Sequence, residues 1–259
     1  MRIETNEKLI QRNKQIATYL FLFSMTILIG GFFIANGQAF GIEALENFSD
    51  SLYLLVMPIV LIVGMTSTLF SIRMTNLWVR MPRPETIIEA GLKGIGKKGV
   101  LYNYYHFPAR HVLIVPQGVF AIITRYQDGS YTVEGDRWKT HRSPLSRLFS
   151  IFRLDGIGNP TQDAVQAAEH IQRIMQSLGI NAPVQPLIIF VDPRAKLEIK
   201  SSQVPVLFAD SKLFPNIKDY LKDIPKDSRA TLLPEEIDRF DEITKSGKIS
   251  VRQMKQKSA

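Results

Sequence analysis

Two long uncharged segments near the N-terminus constrain the fold of this chain more than any other feature. No residue from Gln15 to Ile42 is charged, and none from Ser51 to Ile72. An α-helix rises 1.5 Å per residue, so about 20 apolar residues cross the hydrocarbon core of a bilayer. The two segments therefore predict transmembrane helices at about residues 15–38 and 51–73, within a membrane domain of residues 1–83.

Basic residues flank this predicted hairpin at its two outer ends, whereas the loop between the helices carries only acidic charges. The basic residues are Arg2, Lys8, Arg12, Lys14, Arg73, Arg80 and Arg83. Positively charged flanks stay on the cytoplasmic side of a membrane. We therefore expect a multi-pass protein of the cell membrane, in contact with the lipid bilayer and with both termini in the cytoplasm. A cleaved signal peptide fits less well, because a second spanning segment follows the first.

The chain contains no cysteine and only four histidines among its 259 residues. Disulfide frameworks, cysteine-based zinc sites, iron–sulfur clusters and cysteine nucleophiles are therefore excluded. The histidines do not share a spacing that is typical of metal ligands. We predict no metal site of the zinc type.

From Pro84 onward the hydrophobic pattern becomes that of a water-soluble α/β domain, which we place at residues 84–222. The pattern predicts, in order, a helix, three strands, a long helix and a further strand, followed by a strand and helix as an appendix. The predicted elements are Glu85–Ile95, Val100–His106, Arg110–Val115, Val119–Arg125, Thr161–Leu178, Leu187–Val191 and Val204–Phe208. This α-β-β-β-α-β order favours three layers around one mixed sheet. Residues 223–259 are predicted to form a helix and a basic tail.

Several short motifs in this domain occur in the order seen in one known family. They are Gly96-Lys97-Lys98-Gly99, the strand pair HVLIVPQGVF at residues 111–120, Trp138, and GNPTQ at residues 158–162. Together they resemble the nuclease-related domain (NERD) family, bacterial members of which can be tethered to membrane helices. The resemblance implies a fold similar to that of restriction endonucleases, whose core has the same α-β-β-β-α-β order.

The resemblance also implies where a nuclease site would lie. In the family, a glutamate follows the G-x-x-G motif, an aspartate precedes the histidine of the second strand, and a glutamate and a lysine lie on the third strand. This chain has Val100, Arg110, Ile123 and Arg125 at those positions. Mg²⁺ requires oxygen ligands, and a guanidinium repels a cation and is a poor proton acceptor. The resemblance thus implies a degenerate active site with no metal and no cofactor.

An alternative keeps the chemistry by moving the acids. Asp128, Glu134 and Asp136 follow the third strand, and carboxylates from a neighbouring element can reach the same point in space. In that case the protein is a DNA nuclease that depends on Mg²⁺. The simpler interpretation of these three residues is a turn aspartate and two solvated loop residues.

The remaining signal is positive charge, which contributes to a formal net charge of +8. Basic clusters attract polyanions such as nucleic acid or anionic lipid. The predicted binding residues are Lys93, Lys97, Lys98, Arg110, Arg125, Arg137 and Lys139. The sequence therefore predicts a membrane-anchored, catalytically inactive module that binds a polyanion or a protein partner in the cytoplasm.

Overall fold

The computed structural model describes residues 1–37, 40–41, 50–95, 98–141, 156–225 and 231–246. These residues form two compact units. The helical unit comprises the described residues of Glu7–Arg83 together with Gly156. The α/β unit combines Met1–Asn6 with the described residues of 84–141 and 157–246.

The helical unit contains two helices of 29 residues each, α1 (Glu7–Ala35) and α2 (Asp50–Trp78). Both are long and apolar enough to cross a membrane, and only 17% and 11% of their apolar segments are buried inside the protein. Large apolar side chains such as Phe21, Phe32 and Leu61 are instead exposed. This exposure is the arrangement that a lipid-facing helix pair requires, because a core helix of a soluble protein would be mostly buried.

The observed helices extend beyond the predicted segments 15–38 and 51–73. α1 begins at Glu7 and α2 continues to Trp78. The charged residues at the start of α1 are good helix formers, so the helix continues past its apolar part. Residue 38 lies outside the described residues.

Small side chains line the contact between the two helices. Ala17, Ser24 and Gly31 are buried at a spacing of seven residues on α1, as are Gly64 and Ser71 on α2. This spacing keeps one face of each helix turned toward the other. A Cβ atom added at Gly31 would lie 2.6 Å from Cγ1 of Val60. The glycine is therefore needed for the close approach of the helices.

We expect Gly31→Leu to separate the two helices and to lower the aggregation temperature of the full chain in detergent micelles. Gly30→Leu is the matched control, because a Cβ at Gly30 meets no atom within 4 Å. Both changes add the same apolar volume to the same turn. Equal aggregation temperatures for the two variants would show that the helices do not meet at Gly31.

The α/β unit is built on a six-stranded mixed sheet. Its strands are β1 Arg2–Thr5, β2 Val100–His106, β3 Ala109–Val115, β4 Gly118–Arg125, β7 Val184–Phe190 and β9 Val206–Phe208. They lie in the order β1-β2-β3-β4-β7-β9. β1 runs parallel to β2, β2 to β4 form an antiparallel meander, and β7 and β9 continue parallel to β4.

Helices cover both faces of this sheet. Ile88 of α3 (Pro84–Gly91) and Leu221 of α5 (Ile217–Asp223) belong to the core on one face. Ile171 of α4 (Pro160–Ser177) and Phe240 of α6 (Pro234–Ser246) belong to the core on the other face. The prediction of two apolar helices followed by a mixed α/β domain is thus confirmed.

A second sheet of three strands was not expected as a separate layer. Its strands are β5 Ser130–Gly135, β6 Arg137–His141 and β8 Lys196–Ser202, in the order β6-β5-β8. Tyr131 and Trp138 turn inward to the core beneath α4. The prediction of one sheet is therefore wrong, because the domain has two. The sequence did not reveal β6 and β8 because polar side chains alternate along them, and no run of apolar residues marks either strand.

The domain boundaries at residues 83 and 222 also need correction. Met1–Asn6 belongs to the α/β unit, because β1 pairs with β2 along its whole length. The C-terminal helix α6 belongs there too, because Phe240 is fully buried and its ring lies 5.3 Å from that of Tyr102. Asp241 on α6 forms a 2.9 Å ion pair with Arg2 of β1. The predicted basic tail, residues 247–259, lies outside the described residues.

Candidate anion-binding site

One edge of the six-stranded sheet gathers the functional candidates. We call it the carboxyl edge, because β1, β2, β4, β7 and β9 all end there. β3 runs in the opposite direction, so it begins at this edge. Arg110 is the second residue of β3 and Arg125 is the last residue of β4. The two arginines therefore lie on neighbouring strands at the same edge.

Strand alternation places the four degenerate nuclease positions on one face of the sheet. Val100 and Ile123 are buried in the core beneath α4. Side chains two residues apart on a strand share a face, so Arg125 faces the same way as Ile123, and Arg110 the same way as Val112. Val112 belongs to the same core. The face thus presents two apolar side chains and two guanidinium groups.

Arg125 is held by the first turn of α4. Its Nη2 atom forms an ion pair with Oδ2 of Asp163, and its Nη1 atom donates to the carbonyl of Thr124 at 3.2 Å. Asn159 caps this helix by accepting from the backbone N–H of Gln162. Only 13% of the Arg125 side chain is exposed. Burial lowers the pKa of Arg125, and the charge of Asp163 opposes that effect.

Arg110 lies half-buried within the same electrostatic environment. Burial lowers the pKa of the Arg110 guanidinium below its ordinary value, and the positive charge of Arg125 lowers it further. Asp163 also acts on Arg110, although the ion pair at close range is with Arg125. Two partly dehydrated guanidiniums therefore lie on neighbouring strands, and Asp163 forms its ion pair with one of them. Because a buried charge is costly unless it is paired, this arrangement favours an additional anion.

The acids that would be needed for a metal site are dispersed. Asp128 pairs with Arg194 at 3.3 Å and Glu134 with Lys139 at 4.0 Å, and about half of each acidic side chain is exposed. Asp136 is exposed in the turn between β5 and β6. Among the described residues, no group of three or more His, Asp and Glu side chains is arranged to hold a metal ion.

The other predicted polyanion-binding residues do not join the arginine pair. Lys93 follows Leu92, which is buried in the core on the opposite face of the sheet. Arg137 and Lys139 are exposed on β6 of the small sheet. Lys98 is exposed ahead of β2, and Lys97 lies outside the described residues. Of the seven residues, the structure brings together Arg110 and Arg125.

Asp163 is a site residue that the sequence reasoning missed. It lies 38 residues after Arg125 and in the helix that follows the Asn159 cap. Its position in the first turn of a predicted helix was a usable signal, because an acidic residue there is stabilised by the free backbone N–H groups. Nothing in the spacing indicated that its partner would be an arginine of β4.

Comparison of the chain with models of protein families, with curated proteins and with solved structures found no match. The resemblance to nuclease-related domains therefore stays a prediction from the sequence motifs. The function of the site has to be inferred from its own geometry and charge.

Proposed function

We propose that this protein is a membrane-anchored binding module of the nuclease-related type, without catalytic activity, which takes the phosphate group of a polyanion on Arg110 and Arg125. The observation that carries the proposal is the pair of largely buried guanidiniums on neighbouring strands, of which Arg125 forms an ion pair with Asp163. A guanidinium offers five N–H donors in a planar fork that matches the oxygens of a phosphate.

The lack of catalysis follows from the chemistry of the same four positions. Val100 and Ile123 offer no oxygen ligand, and Mg²⁺ is bound through oxygen. Arg125 stands where the lysine would orient or activate water, and a guanidinium stays protonated at neutral pH, so it does not accept a proton from water. What these positions retain is the ability to attract the negative charge of a phosphate.

A cytoplasmic location is also part of the proposal. β1 precedes α1 and β2 follows α2, yet the two strands pair in one sheet. The chain before α1 and the chain after α2 must therefore lie on the same side of any membrane that both helices cross. The basic flanks favour the cytoplasmic side.

The proposal is tested with the full chain in nanodiscs of zwitterionic lipid, using the fluorescence anisotropy of a labelled single-stranded oligonucleotide in the presence of EDTA. We expect Arg110→Gln and Arg125→Gln each to weaken binding by about tenfold or more, because each removes charge-assisted hydrogen bonds to phosphate. The double variant Arg137→Gln/Lys139→Gln is the matched control. It removes two exposed cations from the small sheet and should leave the affinity within about twofold, since exposed charges contribute little.

Two outcomes would contradict this account. If the control variant weakens binding as much as the arginine variants do, binding depends on the overall charge of the protein, and Arg110 and Arg125 do not form a specific phosphate-binding site. If Mg²⁺ or Mn²⁺ replaces EDTA and the oligonucleotide is cut, with cutting lost in Asp128→Asn or Asp136→Asn, the alternative of a nuclease with migrated acids is correct.

A further inference from the structure

The carboxyl edge is also the place where the chain leaves the sheet for the helical unit. Thr5 ends β1 opposite Asn103, and only Asn6 separates Thr5 from α1. Asn103 in turn lies opposite His111, the neighbour of Arg110. Adjacent strands are about 4.8 Å apart, so the backbone at His111 lies about 10 Å from the backbone at Thr5. Chain connectivity alone thus keeps Arg110 close to the start of α1.

Tyr104 contacts the α/β unit on both sides of the point at which the helical unit is inserted in the sequence. Its hydroxyl donates a 2.8 Å hydrogen bond to Glu85, which follows the end of the helical unit by two residues. Its backbone carbonyl accepts a 3.4 Å hydrogen bond from the side-chain amide of Asn6, which precedes α1 by one residue. Tyr104 also acts electrostatically on Arg110. One residue that acts on Arg110 thus contacts the segments of the α/β unit that precede and follow the helical unit in the sequence.

The charged start of α1 is short compared with the headgroup layer that it crosses. The uncharged segment begins at Gln15, eight residues after Glu7. Eight residues of helix span about 12 Å, and the headgroup layer of one leaflet covers about 5–7 Å of that length. The headgroups thus lie about one or two side-chain lengths from the start of α1.

An exposed aromatic side chain lies at the same edge. Phe107, in the turn between β2 and β3, is 44% exposed. Phe214 is 86% exposed but belongs to the segment between Phe208 of β9 and Asn216, at the end of the sheet opposite β1. Within the described part of the α/β unit, these are the two most exposed aromatic side chains. Aromatic side chains next to cations are typical of surfaces that rest on the membrane interface.

From these placements we infer that the phosphate held by Arg110 and Arg125 is the headgroup phosphate of an anionic phospholipid in the bilayer that α1 and α2 cross. The inference rests on the proposed function and names the source of the phosphate. The two arginines bind the phosphate and are attracted by the negative surface potential of the leaflet, while Phe107 contacts the acyl boundary.

Native mass spectrometry of the full chain in detergent tests this inference directly. The protein is incubated with equal amounts of phosphatidylglycerol and phosphatidylcholine that carry the same acyl chains, and the retained lipid is counted. We expect wild type to retain phosphatidylglycerol, and Arg110→Gln/Arg125→Gln to retain about tenfold less of it. The matched control Arg137→Gln/Lys139→Gln, which loses the same charge from the small sheet, should behave as wild type.

Two further arms separate the sources of phosphate and the contribution of Phe107. Soluble glycerol phosphate, which has the headgroup without acyl chains, should fail to displace phosphatidylglycerol at the same concentration. Phe107→Ser should weaken lipid retention severalfold and leave oligonucleotide affinity unchanged. Displacement by glycerol phosphate, or full retention in Phe107→Ser, would overturn the assignment to lipid.

The remaining outcomes distinguish this inference from the proposed function. If oligonucleotide binding depends on the arginine pair but retained lipid does not, the proposed function stands and the lipid inference is wrong. The lipid inference is equally wrong if retained lipid depends on Lys8 and Arg12 of α1 rather than on the arginine pair. If neither ligand depends on Arg110 and Arg125, both proposals are wrong.

Discussion

Phe240→Ala is expected to destabilise the α/β unit by about 3–5 kcal/mol, the usual cost of removing a fully buried phenylalanine. Phe240 of α6 contacts two residues of β2, with its ring centroid 5.3 Å from that of Tyr102 and 5.0 Å from that of His106. Few side chains of α6 anchor it to the core, since only Phe240 and Thr244 are buried. The loss is large against the roughly 5–15 kcal/mol by which a typical domain is stable.

The change is measured by urea unfolding of the full chain in detergent, followed through tryptophan fluorescence. Trp138 reports on the α/β unit, because its indole donates to Thr161 and stacks on Phe190. Leu233→Ala is the matched control, because Leu233 is 63% exposed directly before the same helix. The control should shift the free energy of unfolding by less than about 0.5 kcal/mol. A loss below about 1 kcal/mol for Phe240→Ala would show that α6 does not belong to the cooperative unit.

Mild acid is expected to destabilise the α/β unit strongly between pH 7 and pH 5. Burial, together with nearby His170, lowers the pKa of His106 to about 4. Burial, together with the charge of Arg110, lowers the pKa of His111 to about 3. Both lie below the ordinary value of about 6.5, so the unfolded chain binds protons that the folded chain does not. Their contribution to stability is complete above pH 6.5 and is lost as the pH falls toward 4 and then 3.

The proton count is obtained from the unfolding constant at several pH values. If both histidines are buried and neutral in the folded state, unfolding near pH 5 takes up about two protons. The unfolding constant then rises about a hundredfold for each unit by which the pH falls. Half-buried His170, whose pKa burial also lowers, adds to this number. His106→Asn should reduce the uptake by about one proton, even if it also lowers stability at pH 7. A stability that is flat from pH 7 to pH 5 would contradict the burial of both imidazoles.

Much of the fold could be predicted from local pattern. The uncharged segments indicated the helices, and β-branched and aromatic runs indicated β2, β3 and β4 to within one residue of their observed ends. The Asn159–Pro160 cap marked the start of α4. These features succeed because each depends on neighbouring residues of the sequence.

The elements that were missed depend on distant partners. β1 has only four residues, and its pairing partner β2 lies about 100 positions away in the sequence. Four residues ahead of a membrane helix carry no pattern that distinguishes a strand from a charged flank. The helix α6 was predicted, but its burial rests on Phe240 and Thr244, and two apolar or small residues do not define a packed face from sequence alone.

The candidate site shows the same division. The sequence alone was sufficient to argue against a metal site, because no carboxylate occupies the four positions Val100, Arg110, Ile123 and Arg125. Strand alternation, with a period of two, was sufficient to place Arg125 on the face of Ile123. The sequence had no means of showing that Lys93 lies beyond the opposite face, or that Asp163 approaches Arg125. The number of charged residues in a segment does not show which face of the sheet each of their side chains lies on.

The most direct measurement is the anomalous diffraction of crystals of the full chain grown with both selenate and Mn²⁺. Selenate mimics phosphate, and the anomalous signals of selenium and manganese identify the two ions. The account predicts a tetrahedral anion in contact with the guanidiniums of both Arg110 and Arg125, and no manganese at the carboxyl edge. A manganese ion bound there, or an anion bound elsewhere while the arginine pair holds none, would contradict it.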